Sequence, residues 1–378
     1  MKRMLFISIN DHVPWGGSEE LWSKTSLELH SSSDVNVLVK WWPEKPQPIK
    51  LLKQNGVKVF YKGHCTLSFK EKIKKKLFRI KPKVKHDLDR KGLESLDLVV
   101  ISLGNHLDTK LFYYTDYLEK NNIPFVLVYQ LVTDLRGCKD EPINRFKETL
   151  LKARKLYTLS KDNTEKLKLQ FAHNFENIEQ INNPFNFEAK QLPFKNKNSS
   201  GFCLALVGAY NSLHKGHDVL LKVLSQDKWK QRELVVNLYG SGHNEEHIKR
   251  LVEMYGLTQQ VIFNGFVADK EDIWRVNQGC IMPSRMEGQS LAMLEAMSYG
   301  RMVISTAVGG APELIDDNIT GFLALAATVP LVDDALERAW EKRNTWDEIG
   351  KLSRAKLYDV ITEDPVNTFS KKLKALLV

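Results

Sequence analysis

A chain of 378 residues is long enough for two domains of ordinary size, and 43% hydrophobic with 27% charged residues excludes a disordered or fibrous polymer. No apolar run reaches the roughly 18–20 residues that span a bilayer, so no transmembrane helix is expected. Much of the formal net charge of +9 gathers in "KEKIKKKLFRIKPKVKHDLDRK", residues 70–91. That stretch suits an anionic membrane surface or an acidic polymer, with a solvated helix face as the alternative. No nucleic-acid recognition motif accompanies it, and no nucleic-acid partner is expected.

The chain opens with "MKRMLFISIN", which turns polar at Asn10 and Asp11. It is too short for a signal-peptide core and reads as a first buried strand, so the expected location is the cytoplasm, peripheral at the inner face of the membrane if residues 70–91 bind lipid. The runs "MLFISI", "VNVLV", "VKVFY", "LDLVVISL", "FVLVYQLV" and "KLYTLS" follow in the first half; "FCLALVG", "LVVNLYG", "VIFNGF", "CIMPS" and "MVIST" follow in the second. Most are unbroken rather than alternating, as strands buried on both faces are, and helical patterns separate them. The prediction is an α/β protein of two Rossmann-like parallel-sheet domains facing each other across a cleft. The pattern resets near "FEAKQLPFKNKNSSG", a polar, proline-containing stretch. Expected boundaries are 1–186 for the first, acceptor-side domain, 187–200 for a linker, 201–356 for the second, and 357–378 for a C-terminal helix. The four cysteines are scattered without metal-ligand spacing and read as buried thiols.

Ligands of open α/β sheets settle at the carboxyl ends of the strands, where three loops carry glycine and charge. In "NDHVPWGGSEELWSKTSLEL", Gly16 and Gly17 stand between the first strand and a helix, where the backbone can approach a ligand; an ordinary strand-to-helix turn is the alternative. In "LVGAYNSLHKGHDVLLKVL", the first strand of the second domain ends at Gly208, and Lys215 precedes an amphipathic helix where an ammonium can hold a phosphate or simply be solvated. In "MPSRMEGQSLAMLEAMSYG", Glu287 lies in a loop and Glu295 one to two turns into the next helix. The backbone N–H groups of Gly288, Gln289, Ser290 and Leu291 have no intrahelical acceptors and form an anion site. Carboxylates beside such a site repel phosphate but accept hydrogen bonds from sugar hydroxyls.

These pieces, in this order, with "LYGSGHNEEHIKRL", "VIFNGFV" and "PSRMEGQSLAMLEAMSYGRMVISTAVGGAPELI" before "DDNITGFL", resemble the retaining glycosyltransferases of family 4, which have the two-domain GT-B fold. The resemblance is specific over about residues 201–325 and generic before. It implies transfer of a sugar from a nucleotide diphosphate sugar to a glycan or lipid-linked acceptor in polysaccharide or glycoconjugate synthesis, with no metal and no cofactor beyond the donor. Glu287 and Glu295 match the acids of the E-x7-E motif, the first reading the donor sugar and the second the ribose. By the same resemblance Gly288 to Leu291 face the sugar and phosphates, with Gln289 and Ser290 helping to choose the sugar. Lys215 neutralises the diphosphate, Gly17 approaches it from the first domain, and Phe266 and Val267 hold the base.

Two positions depart from the family pattern. Ala209 stands where the family commonly has an arginine; Arg285 or a first-domain residue is the expected substitute, with weak donor binding as the alternative. Gln130 stands where a histidine is frequent, with Asn105 and His106 as acceptor-side substitutes or plain loop residues. A nucleotide-sugar epimerase of the same architecture and a non-catalytic binding module are the alternatives. A Rossmann dehydrogenase is disfavoured, because neither domain has G-x-G-x-x-G after its first strand.

Overall fold

The apolar runs become parallel strands with both faces covered. The computed structural model describes residues 1–63, 86–134, 139–193 and 201–377, so residues 70–85 of the basic stretch and 194–200 of the expected linker lie outside the described residues. The first sheet contains β1 Arg3–Ser8, β2 Asp34–Val39, β3 Lys58–Tyr61, β4 Leu98–Leu103, β5 Phe125–Tyr129, β6 Lys155–Thr158 and β7 Ile178–Gln180 in the order β3-β2-β1-β4-β5-β6-β7. The second contains β8 Phe202–Val207, β9 Leu234–Tyr239, β10 Val261–Gly265, β11 Gly279–Met282, β12 Met302–Thr306 and β13 Phe322–Ala324 in the order β10-β9-β8-β11-β12-β13. Every neighbouring pair is parallel. Each predicted run appears as a strand; the edge strands β7 and β13 are additional.

Alternate residues of β1 enter different cores: Leu5 and Ile7 pack on one face of the sheet, Met4 and Phe6 on the other. In the second sheet Ile281 and Met302 face one core while Cys280, Met282 and Val303 face the other. This double burial is why the strands read as continuous apolar runs. In each sheet the strand order reverses beside the first strand, between β1 and β4 and between β8 and β11, the place where such sheets open a crevice.

Residues 187–193 do not hang between the domains but are pinned to the second one. Tyr358 donates its hydroxyl to the Phe187 carbonyl at 2.8 Å, and Arg354 donates to the Ala189 carbonyl at 2.7 Å. The buried Arg301 guanidinium donates to Leu192 O at 3.2 Å and Pro193 O at 2.9 Å. The helix Trp346–Val360 runs through the boundary expected at 356, because Leu357 is still buried in the core of the second domain. The last helix, Pro365–Ala375, buries Phe369 and Leu373 among Trp22, Leu29 and Tyr157 of the first domain. Among the described residues no helix is long and apolar enough to cross a membrane.

Candidate active site

The loop after β11 and the helix Leu291–Ser298 form the wall of the crevice on the second domain. The helix is apolar almost all round and buries Ala292, Met293, Leu294, Ala296 and Met297, leaving Leu291 and Glu295, one turn apart, as its half-buried stripe. Ser290 stands at the N-cap with extended backbone, yet its hydroxyl turns inward to Met282 Sδ at 3.4 Å and caps nothing. The N–H groups that open the helix are therefore left for a ligand or solvent.

Opposite Leu291 lies Gly17, the first residue of the helix Gly17–His30; a Cβ there would come within 3.0 Å of Leu291 Cδ1. The two domains thus meet helix start to helix start. One turn further in, the Glu295 carboxyl has no hydrogen-bond partner among the described residues. Burial pushes its pKa up to about 7; Lys270 and Lys24 pull against that rise and Glu20 adds to it. Lys24 and Glu20 belong to the helix across the crevice, so Glu295 faces the first domain.

Lys215 ends a single turn of helix, Ser212–Lys215, whose Asn211 accepts from the His214 N–H. Its Nζ donates to Glu287 Oε1 at 2.7 Å, and Ser284 Oγ donates to the same oxygen at 2.9 Å. Gly208 lets the lysine stem cross the end of β8: a Cβ there would sit 3.0 Å from Lys215 Cε. Gly216 follows in the left-handed region at φ +67, and a side chain on it would strike Pro283 O at 1.9 Å. The turn that aims Lys215 therefore depends on glycine. Ala209 is exposed beside it.

Several expected site residues are placed differently from the sequence reading. Arg285 does not replace the missing arginine: its guanidinium forks onto Asp218 at 2.9 and 2.7 Å and donates to Ser212 O at 2.8 Å, tying the 283–288 loop to the turn that carries Lys215. The Gln289 side chain is not turned to a sugar. Its Oε1 accepts from Asn183 N at 2.7 Å and its Nε2 donates to Asn182 Oδ1 at 2.8 Å. His106 is fully buried and pairs through Nε2 with Gln170 Oε1 at 2.8 Å; Asn105 Oδ1 accepts from Leu107 N at 3.2 Å in a local turn. His106 is thereby closed off from the crevice, whereas Asn105 stays half-buried in its turn. Gln130 is buried with Nε2 toward Ser102 Oγ at 3.4 Å, but its main-chain carbonyl closes on the second domain, where a Cβ on Gly288 would lie 2.0 Å from Gln130 O. Phe266 is exposed with the Lys270 ammonium 5.3 Å from its ring, and Val267 packs half-buried beside it.

Sequence reasoning missed the polar clasp that holds the walls together. Asn163 Nδ2 donates to Glu287 O at 3.1 Å, Gly309 N donates to Asp162 Oδ2 at 3.0 Å, and Glu313 accepts from Lys161 N at 2.7 Å and from Gln180 Nε2 at 2.9 Å. The available signal was "LSKDN", where Ser160 caps a helix and sets Lys161, Asp162 and Asn163 in its first turn. Also missed was Glu19, buried at the start of the helix Gly17–His30, where it accepts from Ser8 Oγ at 2.6 Å and from Ser18.

Two parallel Rossmann-type sheets, with a crevice at both switch points and an acid-flanked helix start opening into it, define a GT-B architecture. Residues 201–342 match the model of the family described as Glycosyl transferases group 1. In sequence the chain is similar to an uncharacterized glycosyltransferase of Haemophilus influenzae, 28% identical over 170 residues, covering 45% of this chain and 46% of that protein. It is also similar to a D-inositol 3-phosphate glycosyltransferase of Corynebacterium jeikeium, 30% identical over 141 residues, covering 35% and 32%. The matches span about half or less of the length of these relatives. In fold it is similar to Anabaena Alr3699/HepE, solved in complex with UDP, with TM-score 0.74 and 16% identity over 100% of this chain and 99% of that one. The sucrose-phosphate synthase of Thermosynechococcus elongatus is equally similar, with TM-score 0.74 and 17% identity over 100% and 98%.

Proposed function

We propose that the protein is a metal-independent retaining hexosyltransferase that moves a sugar from a nucleotide diphosphate sugar to a glycan or lipid-linked acceptor. The reading extends to surface polysaccharide or glycoconjugate synthesis on the cytoplasmic side of the membrane. The observation that carries it is the uncapped helix start at Ser290–Leu291, opposed by Gly17 and flanked by Glu287 and Glu295. Breaking the anomeric C–O bond leaves negative charge on the diphosphate and oxocarbenium character on the sugar. Lys215 and the helix-start N–H groups supply preorganised positive charge for the first. Glu287 has one carboxylate oxygen taken by Lys215 and Ser284, and its other oxygen is available to a sugar hydroxyl. Glu295, facing Lys24 across the crevice, suits the ribose hydroxyls. Structural relatives solved with UDP or UDP-glucose support a nucleotide sugar as donor.

The test is a panel of nucleotide sugars incubated with the protein, with release of nucleotide diphosphate and the anomeric configuration of the product measured with and without a chelator. Turnover that survives chelation and keeps the donor's configuration is expected. Inverted product would refute retention, turnover lost on chelation would refute metal independence, and release without any sugar transfer to acceptors would refute the transferase reading.

A further inference from the structure

The first domain has a second concavity, at the carboxyl ends of β1, β2 and β3, on the side of the helix Gly17–His30 away from β4. Trp15, Trp22, Trp42 and Tyr61 supply its aromatic wall and Glu19 one of its polar groups. The Trp22 indole N–H, in a side chain only 1% exposed, has no acceptor among the described residues, and neither has the buried Tyr61 hydroxyl a partner. Two orphaned polar groups in the wall of one cavity are costly unless a ligand or solvent meets them. Trp15 and Trp22 pack tilted, with centroids 5.7 Å apart, while Trp15 and Trp42 remain half-exposed. Indole faces beside hydrogen-bonding groups suit a sugar ring, which is apolar on its C–H faces and polar at its rim. The mouth carries Lys40, its ammonium 4.2 Å from the Trp42 ring centroid, and Lys45, 5.7 Å from that of Tyr61. Among the described residues neither lysine has a carboxylate within ion-pair distance; Lys40 donates only to the Asp11 carbonyl, at 2.9 Å. Both are exposed. Glu19, the acid of the wall, is already engaged by Ser8 and Ser18.

We infer that this cavity binds the acceptor and that the acceptor is an anionic saccharide, its ring against the indoles of Trp15 and Trp42 and its carboxylate or phosphate at Lys40 and Lys45. The inference rests on the transferase reading and gives its second substrate a chemical class. Glu19 of this wall and Gly17 of the donor crevice stand two residues apart at the start of one helix, so the cavity borders the crevice. Transfer forms the bond from its hydroxyl oxygen to the anomeric carbon, breaks the bond from that carbon to the diphosphate, and passes the hydroxyl proton to the departing diphosphate.

The test is calorimetry and indole fluorescence on the full chain with trigalacturonate, glucose 6-phosphate and neutral maltotriose. At least one acidic probe should bind saturably and at least 10-fold tighter than maltotriose; which one it is tells a carboxylate from a phosphate site. Lys40→Met with Lys45→Met should erase that preference, and Trp42→Ala should weaken acidic-probe binding at least 10-fold. Because both lysines are exposed, their replacement leaves the core intact and keeps the test decisive if Trp42→Ala disturbs the loop. Acidic probes that bind no better than maltotriose, or as well to the lysine variant as to the parent, overturn the inference. UDP and GDP titrated into the parent separate the two readings: nucleotide binding without acidic-saccharide binding refutes this inference alone, whereas the reverse refutes the donor reading.

Discussion

Lys215 and Glu287, 72 residues apart in sequence, share a 2.7 Å hydrogen bond with side chains only 23% and 14% exposed. An ammonium held this way is already desolvated and aimed, and it can turn from the carboxylate to an arriving diphosphate without recruiting a new charge. Lys215→Met should therefore lower kcat about 10²–10³-fold, the usual effect of losing one preorganised charge-stabilising donor, with a smaller change in donor KM. Glu287→Gln should instead act mainly on donor KM, since it keeps the hydroxyl acceptor and loses the charge. Steady-state kinetics with varied donor checks both; equal kcat effects from the two would refute the division of roles.

Glu295 and His217 give opposite pH dependences of stability. Burial raises the Glu295 carboxyl from 4.5 to about 7, so the folded state holds a proton the unfolded state has lost, and stability falls as pH rises from about 4.5 to 7. His217 is buried with neither ring nitrogen partnered among the described residues, and burial lowers it from 6.5 to about 4. Here the unfolded state takes up the proton first, so stability falls as pH drops from 6.5 toward 4. Each effect is on the order of 1–3 kcal/mol, and in the parent they largely offset. Glu295→Gln should make the protein lose stability on acidification, and His217→Leu should make it lose stability on alkalinisation through pH 7. Denaturant titrations from pH 4.5 to 7.5 check the pair; slopes of the same sign in both variants would refute the assignment.

Donor affinity has its own pH dependence at Glu295. Hydrogen bonds accepted from two ribose hydroxyls require the carboxylate, so a ligand that makes them must expel the proton held below pH 7. Affinity for the nucleotide should rise up to 10-fold per pH unit below 7 and level off above it. Calorimetry at pH 5.5, 6.5 and 7.5 measures this, and Glu295→Gln should remove it.

How much was legible in the chain follows from how local each signal is. Parallel strands buried on both faces leave continuous apolar runs, so β1 through β6 and β8 through β12 could be read directly. The edge strand β7 is "IEQ", half-buried with two polar residues in three, and leaves no run to read; β13 is three residues long and opens the apolar run "FLALAA", whose alanines carry little strand preference. The acid-flanked helix start was legible because glycine, serine and the following apolar residues lie within one short stretch. The partners of Arg285, Gln289 and His106 were not, because their competition is settled at a distance: Asp218 is 67 residues from Arg285, Asn182 is 107 from Gln289, and Gln170 is 64 from His106. A polar residue in a site loop can face the ligand or hold the loop, and only the fold decides which.

Gln289 tests that distinction. Its amide joins the 283–290 loop to Asn182 and Asn183, and its carbonyl accepts from Asn183 Nδ2 at 2.7 Å. Gln289→Leu leaves the buried Asn183 N–H without its acceptor and should cost about 1–3 kcal/mol of stability. The ratio of kcat/KM between two donor sugars should stay within about twofold, because no contact to the sugar is removed. A large change in that ratio with stability intact would restore the side chain to sugar selection.

Gly288 sets how closely the two domains can meet. Its Cα lies so near Gln130 O that an added methyl would sit 2.0 Å from that oxygen, and Gly310 N donates to Gly288 O at 2.8 Å on the other side. The backbone cannot step aside without losing that bond, so Gly288→Ala must push the domains apart at the crevice or strain the loop by about 1–3 kcal/mol. Separation would withdraw Gly17 from Leu291, and Asn163 would lose its bond to Glu287 O. The variant should bind nucleotide through the second domain within a few-fold of the parent while its kcat falls at least 10-fold, because charge stabilisation shared across the crevice needs both walls. Small-angle scattering should detect a larger radius of gyration. Unchanged kcat with an unchanged radius would mean that the close approach at Gln130 plays no part in aligning the two halves.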